Sequence, residues 1–159
     1  MDIVSVAAVS ENGVIGAGAE LPWDLPREVE RYRERVSGET VVLGRKTFEM
    51  FDRDDLPGAR QFVLSRGNPA YDVESVTVVG SVAEAIERAR TDGTETLYVL
   101  GGAGVYEAFL PESDRMYLSR VDGEYEGDAR FPDFDRGAWT LESEERYEGY
   151  TLETWVREA

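Results

Sequence analysis

The chain has no cysteine and no histidine, and Lys46 is the one lysine among its 17 basic residues. Each absence removes a chemistry. Without cysteine there is no disulfide and no thiolate nucleophile. Without histidine the Ser-His-Asp and Cys-His mechanisms are excluded. Zinc would be left with oxygen ligands alone, which it seldom accepts, so no metal site is expected. No apolar run approaches the roughly 20 residues that a membrane-spanning helix needs. The start, Met1-Asp2-Ile3-Val4-Ser5, lacks the basic segment and small-residue cleavage site of a secretory signal, so a cytoplasmic location is expected. Positive charge is scarce too: 33 acidic residues against 17 basic ones leave a net charge of -16. Such a balance argues against nucleic acid or an anionic membrane as partner.

What is present describes a folded domain. A length of 159 residues is a common size for one domain with one sizeable core, and a single domain over 1–159 is expected. An acidic chain can be disordered, but the apolar content of 42% and its regular periodicity argue for a fold. Acid excess with almost no lysine reads as adaptation to salt, because the screening length falls to about 3 Å near 1 M. An ordinary acidic cytoplasmic protein is the plainer alternative.

The periodicity predicts alternating strands and helices. Strands are expected at Asp2–Val9, Thr40–Leu43, Gln61–Ser65, Ser75–Val79, Thr96–Leu100 and Arg115–Val121. Between them fall a helix opening at Asp24-Leu25-Pro26 with Val29, Tyr32 and Val36 on one stripe, and a short helix over Arg45–Phe51. A third runs from the capping box Ser81-Val82-Ala83-Glu84 to about Arg90, and a fourth spans Val105–Leu110 before Pro111. Trp139–Arg146 and Tyr150–Arg157 read as a hairpin turning at Glu148-Gly149. The fold class is therefore α/β: a mainly parallel twisted sheet flanked by helices, with an antiparallel C-terminal edge. Ligands in such sheets bind beyond the C-terminal ends of strands. That directs attention to the glycine-containing loop Ser10–Trp23, and to Gly44–Thr47, Ser65-Arg66 and Gly101–Gly104.

Three segments carry chemical signals. Gly101-Gly102-Ala103-Gly104 lets backbone N–H groups come close to a phosphate, or is simply a tight packing turn; both readings fit. In Gly44-Arg45-Lys46-Thr47, two cations at a helix start oppose the helix dipole, a cost that a bound anion reverses. Ser65-Arg66 could serve the same anion. Glu28 sits in a first helical turn with Tyr32 one turn on, near Leu21, Trp23 and Leu25. A carboxylate in apolar surroundings can hold an amidine-like ligand group. Acidic residues are also favoured in first turns for the dipole alone.

Taken together and in order, Val14-Ile15-Gly16, Leu21-Pro22-Trp23, Val42-Leu43-Gly44-Arg45-Lys46-Thr47, Leu56-Pro57-Gly58, Leu64-Ser65-Arg66, Gly101-Gly102-Ala103-Gly104-Val105-Tyr106 and Glu126–Pro132 resemble the dihydrofolate reductase family over nearly the whole chain. The resemblance implies reduction of dihydrofolate to tetrahydrofolate with NADPH. It implies dihydrofolate and antifolate-type molecules as ligands, and a monomer. It makes Glu28 the acid of the pterin pocket, Ser119 the hydroxyl that supports it, and Trp23 the holder of a water beside it. Val6, Ala8, Tyr32 and Phe51 would line the pterin and benzoyl pocket. Ala8, Ile15 and Gly102 would frame the nicotinamide, with Tyr106 close by. Arg45, Lys46, Thr47, Ser65 and Arg66 would bind the cofactor phosphates, and Gly16, Gly44, Leu64, Gly101, Ala103, Gly104 and Val105 would complete the cofactor cleft. Gly16–Trp23 would be a lid.

Two departures stand out. An arginine that pairs with the substrate's α-carboxylate is usual shortly after Leu-Pro-Gly, but Ala59 occupies that register here and Arg60 is displaced by one residue. Arg60 stays a candidate for the tail. Gly104 stands where relatives carry a larger, often basic residue. A reductase of the same fold acting on a pyrimidine intermediate of riboflavin synthesis, and a silent relative that only binds ligand, are the competing readings. Leu21-Pro22-Trp23 with Glu28 speaks against the first, and the intact acid together with the cation cluster speaks against the second.

Overall fold

A computed structural model describes residues 1–15 and 21–158. Eight strands form one sheet: β1 (Asp2–Ser10), β2 (Thr40–Gly44), β3 (Arg60–Leu64), β4 (Val76–Val79), β5 (Thr96–Val99), β6 (Arg115–Val121), β7 (Trp139–Tyr147) and β8 (Tyr150–Arg157). Four helices accompany them: α1 (Pro26–Val36), α2 (Arg45–Glu49), α3 (Val82–Thr91) and α4 (Ala103–Phe109). The strand order is β4-β3-β2-β5-β1-β6-β8-β7. All pairings from β4 to β6 are parallel, while β6–β8 and β7–β8 are antiparallel. The architecture expected from the sequence is the one observed.

Alternation along the strands makes two cores. On one face Ile3, Ala7 and Val9 of β1 join Val42, Phe62, Leu97 and Val99, and meet Ala85, Ile86 and Ala89 of α3 and Phe109 of α4. On the other, Val4 and Val6 join Val41, Leu43 and Val63 against Val36 of α1 and Phe48 of α2. With both faces covered, the parallel strands are apolar at most positions, as burial on two sides favours.

Small differences from expectation have local causes. Leu25, not Asp24, is the N-cap of α1 and makes no side-chain cap; Pro26 occupies the first turn, where a missing N–H costs nothing. Ser81 caps α3 as expected, its Oγ accepting the Glu84 N–H at 3.0 Å. The return bond reaches one residue further back, with Glu84 Oε1 accepting the Gly80 N–H at 2.7 Å. Helix α4 begins at Ala103, so Ala103 and Gly104 are helical rather than part of the glycine turn, and Pro111 lies in a 3-10 turn over Leu110–Glu112. Gly149 has φ +87° in the β7–β8 turn, and a Cβ there would stand 2.6 Å from Leu25 Cδ2. The left-handed φ favours glycine there, and its bare Cα lets the Leu25 side chain at the start of α1 pack against the turn. Strand β7 is exposed from Thr140 to Arg146 and carries a register shift between Leu141 and Ser143.

Candidate active site

Sheet register builds the floor of the site. Val6 lies opposite Tyr117 and Ala8 opposite Ser119 in the β1–β6 pair. Ser119 lies opposite Leu152, and Val121 opposite Tyr150, in the β6–β8 pair. Side chains two apart on a strand share a face, so Val6, Ala8, Tyr117, Ser119, Tyr150 and Leu152 come to one side. Helix α1 crosses that side and contributes Glu28, Tyr32 and Arg35 at helical spacing. Between helix and sheet is a hollow of about 560 Å³, within the usual range for a small-molecule site. Phe51 lies at its α2 end, and Tyr106 of α4 closes another wall.

Glu28 is the electrostatic centre. It is 8% exposed, and its Oε2 has no hydrogen-bond partner among the described residues. Burial raises its pKa from 4.5 to about 7. Tyr32 is pushed up to about 12, first by burial, with the Arg33 guanidinium working against it. Tyr106 is raised well above its ordinary value by burial, and its hydroxyl donates to the Val6 carbonyl at 2.6 Å. A buried acid left without a cationic or donor partner is a costly arrangement that a ligand carrying N–H donors relieves.

The second part of the site lies at the C-terminal ends of three neighbouring strands. Gly44 pairs in register with Leu64, and its N–H donates to the Gly101 carbonyl at 2.9 Å. Leu64 at the end of β3 with Ser65 and Arg66 just beyond it, Gly44–Thr47 at the β2–α2 junction and Gly101–Gly104 at the β5–α4 junction therefore sit side by side. This is where strand order reverses direction, with β5 inserted between β2 and β1, the usual place for a ligand crevice. Arg45, Lys46 and Arg66 are exposed there, and Thr47 is buried. Gly101 has φ +100°, and a Cβ on it would fall 2.8 Å from the Tyr106 ring. The turn thus presses directly on the wall of the hollow. Gly44 could carry a Cβ only 3.1 Å from Val105 Cγ2, and nothing lies within 4 Å of a Cβ at Gly104.

Not every expected residue meets the hollow. Val6, Ala8, Glu28, Tyr32, Phe51, Tyr106 and Ser119 line it. Trp23 is buried beside it, packed edge-on against Tyr125 at 5.4 Å and clustered with Val121 and Tyr150. Ile15 is buried and bridges Val9. Gly16 and most of the expected lid lie outside the described residues. Arg60 is not brought to the hollow: it starts β3 at the opposite end of the strand and pairs with Asp92 at 3.3 Å. Cations do line the hollow, but from α1: Arg31, Arg33 and Arg35, with Arg33 bonded to Asp55 and Arg35 stacked 3.7 Å from the Tyr117 centroid. Sequence reasoning also missed Leu100, Tyr117, Tyr150 and Leu152. Tyr117 was within reach, two residues before Ser119 on the same strand; Tyr150 needs the β6–β8 register.

Comparison with known proteins agrees with this fold. The family model described as dihydrofolate reductase matches residues 2–155. Dihydrofolate reductase HdrB of Haloferax volcanii is 38% identical over 162 residues, covering 97% of this chain and 82% of that protein. Dihydrofolate reductase of Bacillus subtilis (strain 168) is 35% identical over 141 residues, covering 89% and 82%. A solved structure of dihydrofolate reductase from Enterococcus faecalis, complexed with NADP(H) and RAB-propyl, superposes with a TM-score of 0.85 at 32% identity, covering 99% of this chain and 97% of that one. A family match over nearly the whole chain, and relatives more than a third identical along most of its length, show that the chain belongs to the dihydrofolate reductase family.

Proposed function

We propose that Glu28 is the acid that receives the pteridine ring, and that the strand-end crevice holds the dinucleotide. The chain reduces 7,8-dihydrofolate to tetrahydrofolate with NADPH, the reaction that supports one-carbon metabolism and thymidylate synthesis. The observation that carries the assignment of Glu28 is its buried Oε2, without a hydrogen-bond partner among the described residues, on a side chain that lines a 560 Å³ hollow. The 2-amino group and N3–H of a pteridine are two adjacent donors, the complement of a carboxylate.

The chain's groups also fit the dinucleotide. Gly44, Gly101 and Gly102 leave the strand ends bare of side chains, and a Cβ at Gly102 would already meet Thr47 Oγ1 at 3.4 Å. Arg45, Lys46, Ser65 and Arg66 form a donor set suited to phosphates, including the 2′-phosphate. When bound, NADPH supplies the hydride. Tyr106 and Ala8 shape the wall where the two ligands meet, and holding the reacting carbons together removes much of the entropic cost of encounter. Held at the ring's 2-amino edge, Glu28 would sit too far from N5 to hand over a proton directly. Its charge instead favours a protonated ring, with the proton arriving through solvent.

We infer further that the enzyme acts as a cytoplasmic monomer of one domain, binds no nucleic acid or membrane, and accepts antifolate-type molecules at Glu28. No helix among the described residues is long and apolar enough to cross a membrane. The net charge of -16 supports the exclusion of polyanions. The test is loss of NADPH absorbance on adding dihydrofolate, across a salt series, for the natural chain and Glu28→Gln. Glu28→Gln should lose about 100-fold in turnover near neutral pH, the scale of a positioned acid-base group, with NADPH affinity kept. A variant that turns over normally would remove Glu28 from the role.

A further inference from the structure

Among the described residues, two buried side-chain atoms lack a hydrogen-bond partner: Glu28 Oε2 and the hydroxyl of Tyr150. Both residues line the same hollow. Tyr150 is 2% exposed, and nothing in the pterin pocket assigned above uses it. A phenylalanine would fill the same wall, so the hydroxyl is a cost without a return unless something in the hollow accepts its proton. Its direction is fixed. The ring stacks on Tyr147 with centroids 5.1 Å apart and planes 21° from parallel, and Tyr147 is in turn covered by the Arg31 guanidinium at 4.0 Å. The ring also belongs to the cluster containing Trp23 and Val121. A rigid phenol has few other ways to point.

The acceptor is available. Burial raises the Tyr150 phenol above its ordinary value; Arg31, by its charge and as a donor toward the phenol oxygen, opposes the rise, and the negative charge of Glu28 adds to it. A guanidinium only donates, so the phenol's own proton is what lacks an acceptor. The hydroxyl therefore stays protonated and acts as a donor, and a carboxylate oxygen can accept a second bond beside any it gives to a ligand. The two atoms do not bond directly and both are closed off from the open part of the hollow, so one enclosed water is the partner that would satisfy both.

We propose that Tyr150 is a positioning residue for Glu28, its O–H donating through one bridging water to Oε2 and fixing the carboxylate plane that receives the pteridine. This rests on the reading of Glu28 as the pterin acid. The role is distinct from that of Ser119, which approaches from β6. The titratable and charged groups that line the hollow with Glu28 are Arg31, Tyr32, Arg33 and Arg35 on α1, Asp52 and Asp55 after α2, Tyr106 on α4, Tyr117 on β6 and Tyr150 on β8. Tyr150→Phe changes one of them and leaves the others in place.

The experiment follows the Glu28 carboxyl by ¹³C NMR through a pH titration of the ligand-free protein in high salt, natural chain against Tyr150→Phe. Loss of a donor to the charged form should raise the Glu28 midpoint by about half a pH unit or more. The acidic limb of the kcat/KM profile should move in the same direction, with NADPH affinity unchanged within about twofold. Superimposable titration curves would overturn the proposal. Should Tyr150→Phe fail to fold, 3-fluorotyrosine placed at position 150 is a stronger donor of the same shape and should move the Glu28 midpoint downward; no movement again overturns it. Because the titration is read without substrate, a failure here is separable from normal turnover in Glu28→Gln, which would sink the pterin reading instead.

Discussion

At the residue scale, Glu28 ties stability to function. An unfolded glutamate has its midpoint near 4.5, whereas in the folded chain burial lifts it to about 7. The folded state therefore binds more protons than the unfolded one between these values, and stability falls as pH rises through that window. Below 4.5 the group costs nothing; above about 7 the cost is complete, on the order of 3 kcal/mol at 1.4 kcal/mol per pH unit. Glu28→Gln removes the charge and keeps the shape. Its unfolding free energy, measured by denaturant titration at fixed high salt, should match the natural chain near pH 4.5 and exceed it by an amount that grows toward pH 7. A constant difference across that range would mean that the carboxylate is solvated in the folded protein. Burial of Glu28 was half legible in the sequence. The spacing to Tyr32 showed that the two share a helix face, but first-turn acids are common, and only the sheet behind the helix shows which face is covered. Tyr150 was illegible for the same reason on a larger scale, since β6 and β8 meet across some 30 residues of chain.

At the element scale, the strand ends do most to place the site, and they were read well. Strands β2, β3 and β5 are short, apolar and sharply bounded by glycine or polar residues, so their ends could be found from pattern alone. The start of α4 was less legible, because Ala103 and Gly104 read as turn residues by composition, while helix geometry there is set by the Gly102 carbonyl accepting from Val105 and Tyr106. The Gly101 turn gives an element-scale prediction. Gly101→Ala combines a left-handed φ with a 2.8 Å approach to Tyr106, so the turn must shift and the Tyr106 wall with it. The variant should lose about 2 kcal/mol of stability in denaturant titrations and bind both dinucleotide and folate less tightly. A fully stable variant with unchanged affinities would show that the turn yields without moving the wall. Arg60 shows what register can tell: a displacement of one residue turns it toward the other face, and it pairs there with Asp92 at the end of α3 rather than lining the hollow.

At the scale of the molecule, charge decides the working conditions. With a net charge of -16, the folded chain repels itself in dilute buffer more than the expanded chain does. Its thermal midpoint should rise steadily from 0.1 M to molar salt, as the screening length shrinks from about 10 Å to about 3 Å. A midpoint indifferent to salt would end the reading of salt adaptation. The same screening bears on strand β7, which ends the sheet with Glu142, Glu144 and Glu145 along an exposed edge. In dilute buffer, like charges would keep a second copy from adding its own edge. Neighbouring strands sit about 4.8 Å apart, however, which is farther than charge reaches in brine. There the misregister between Leu141 and Ser143 must stand guard instead: it bends the backbone out of the line that another strand would need to follow, and no concentration of ions can straighten it.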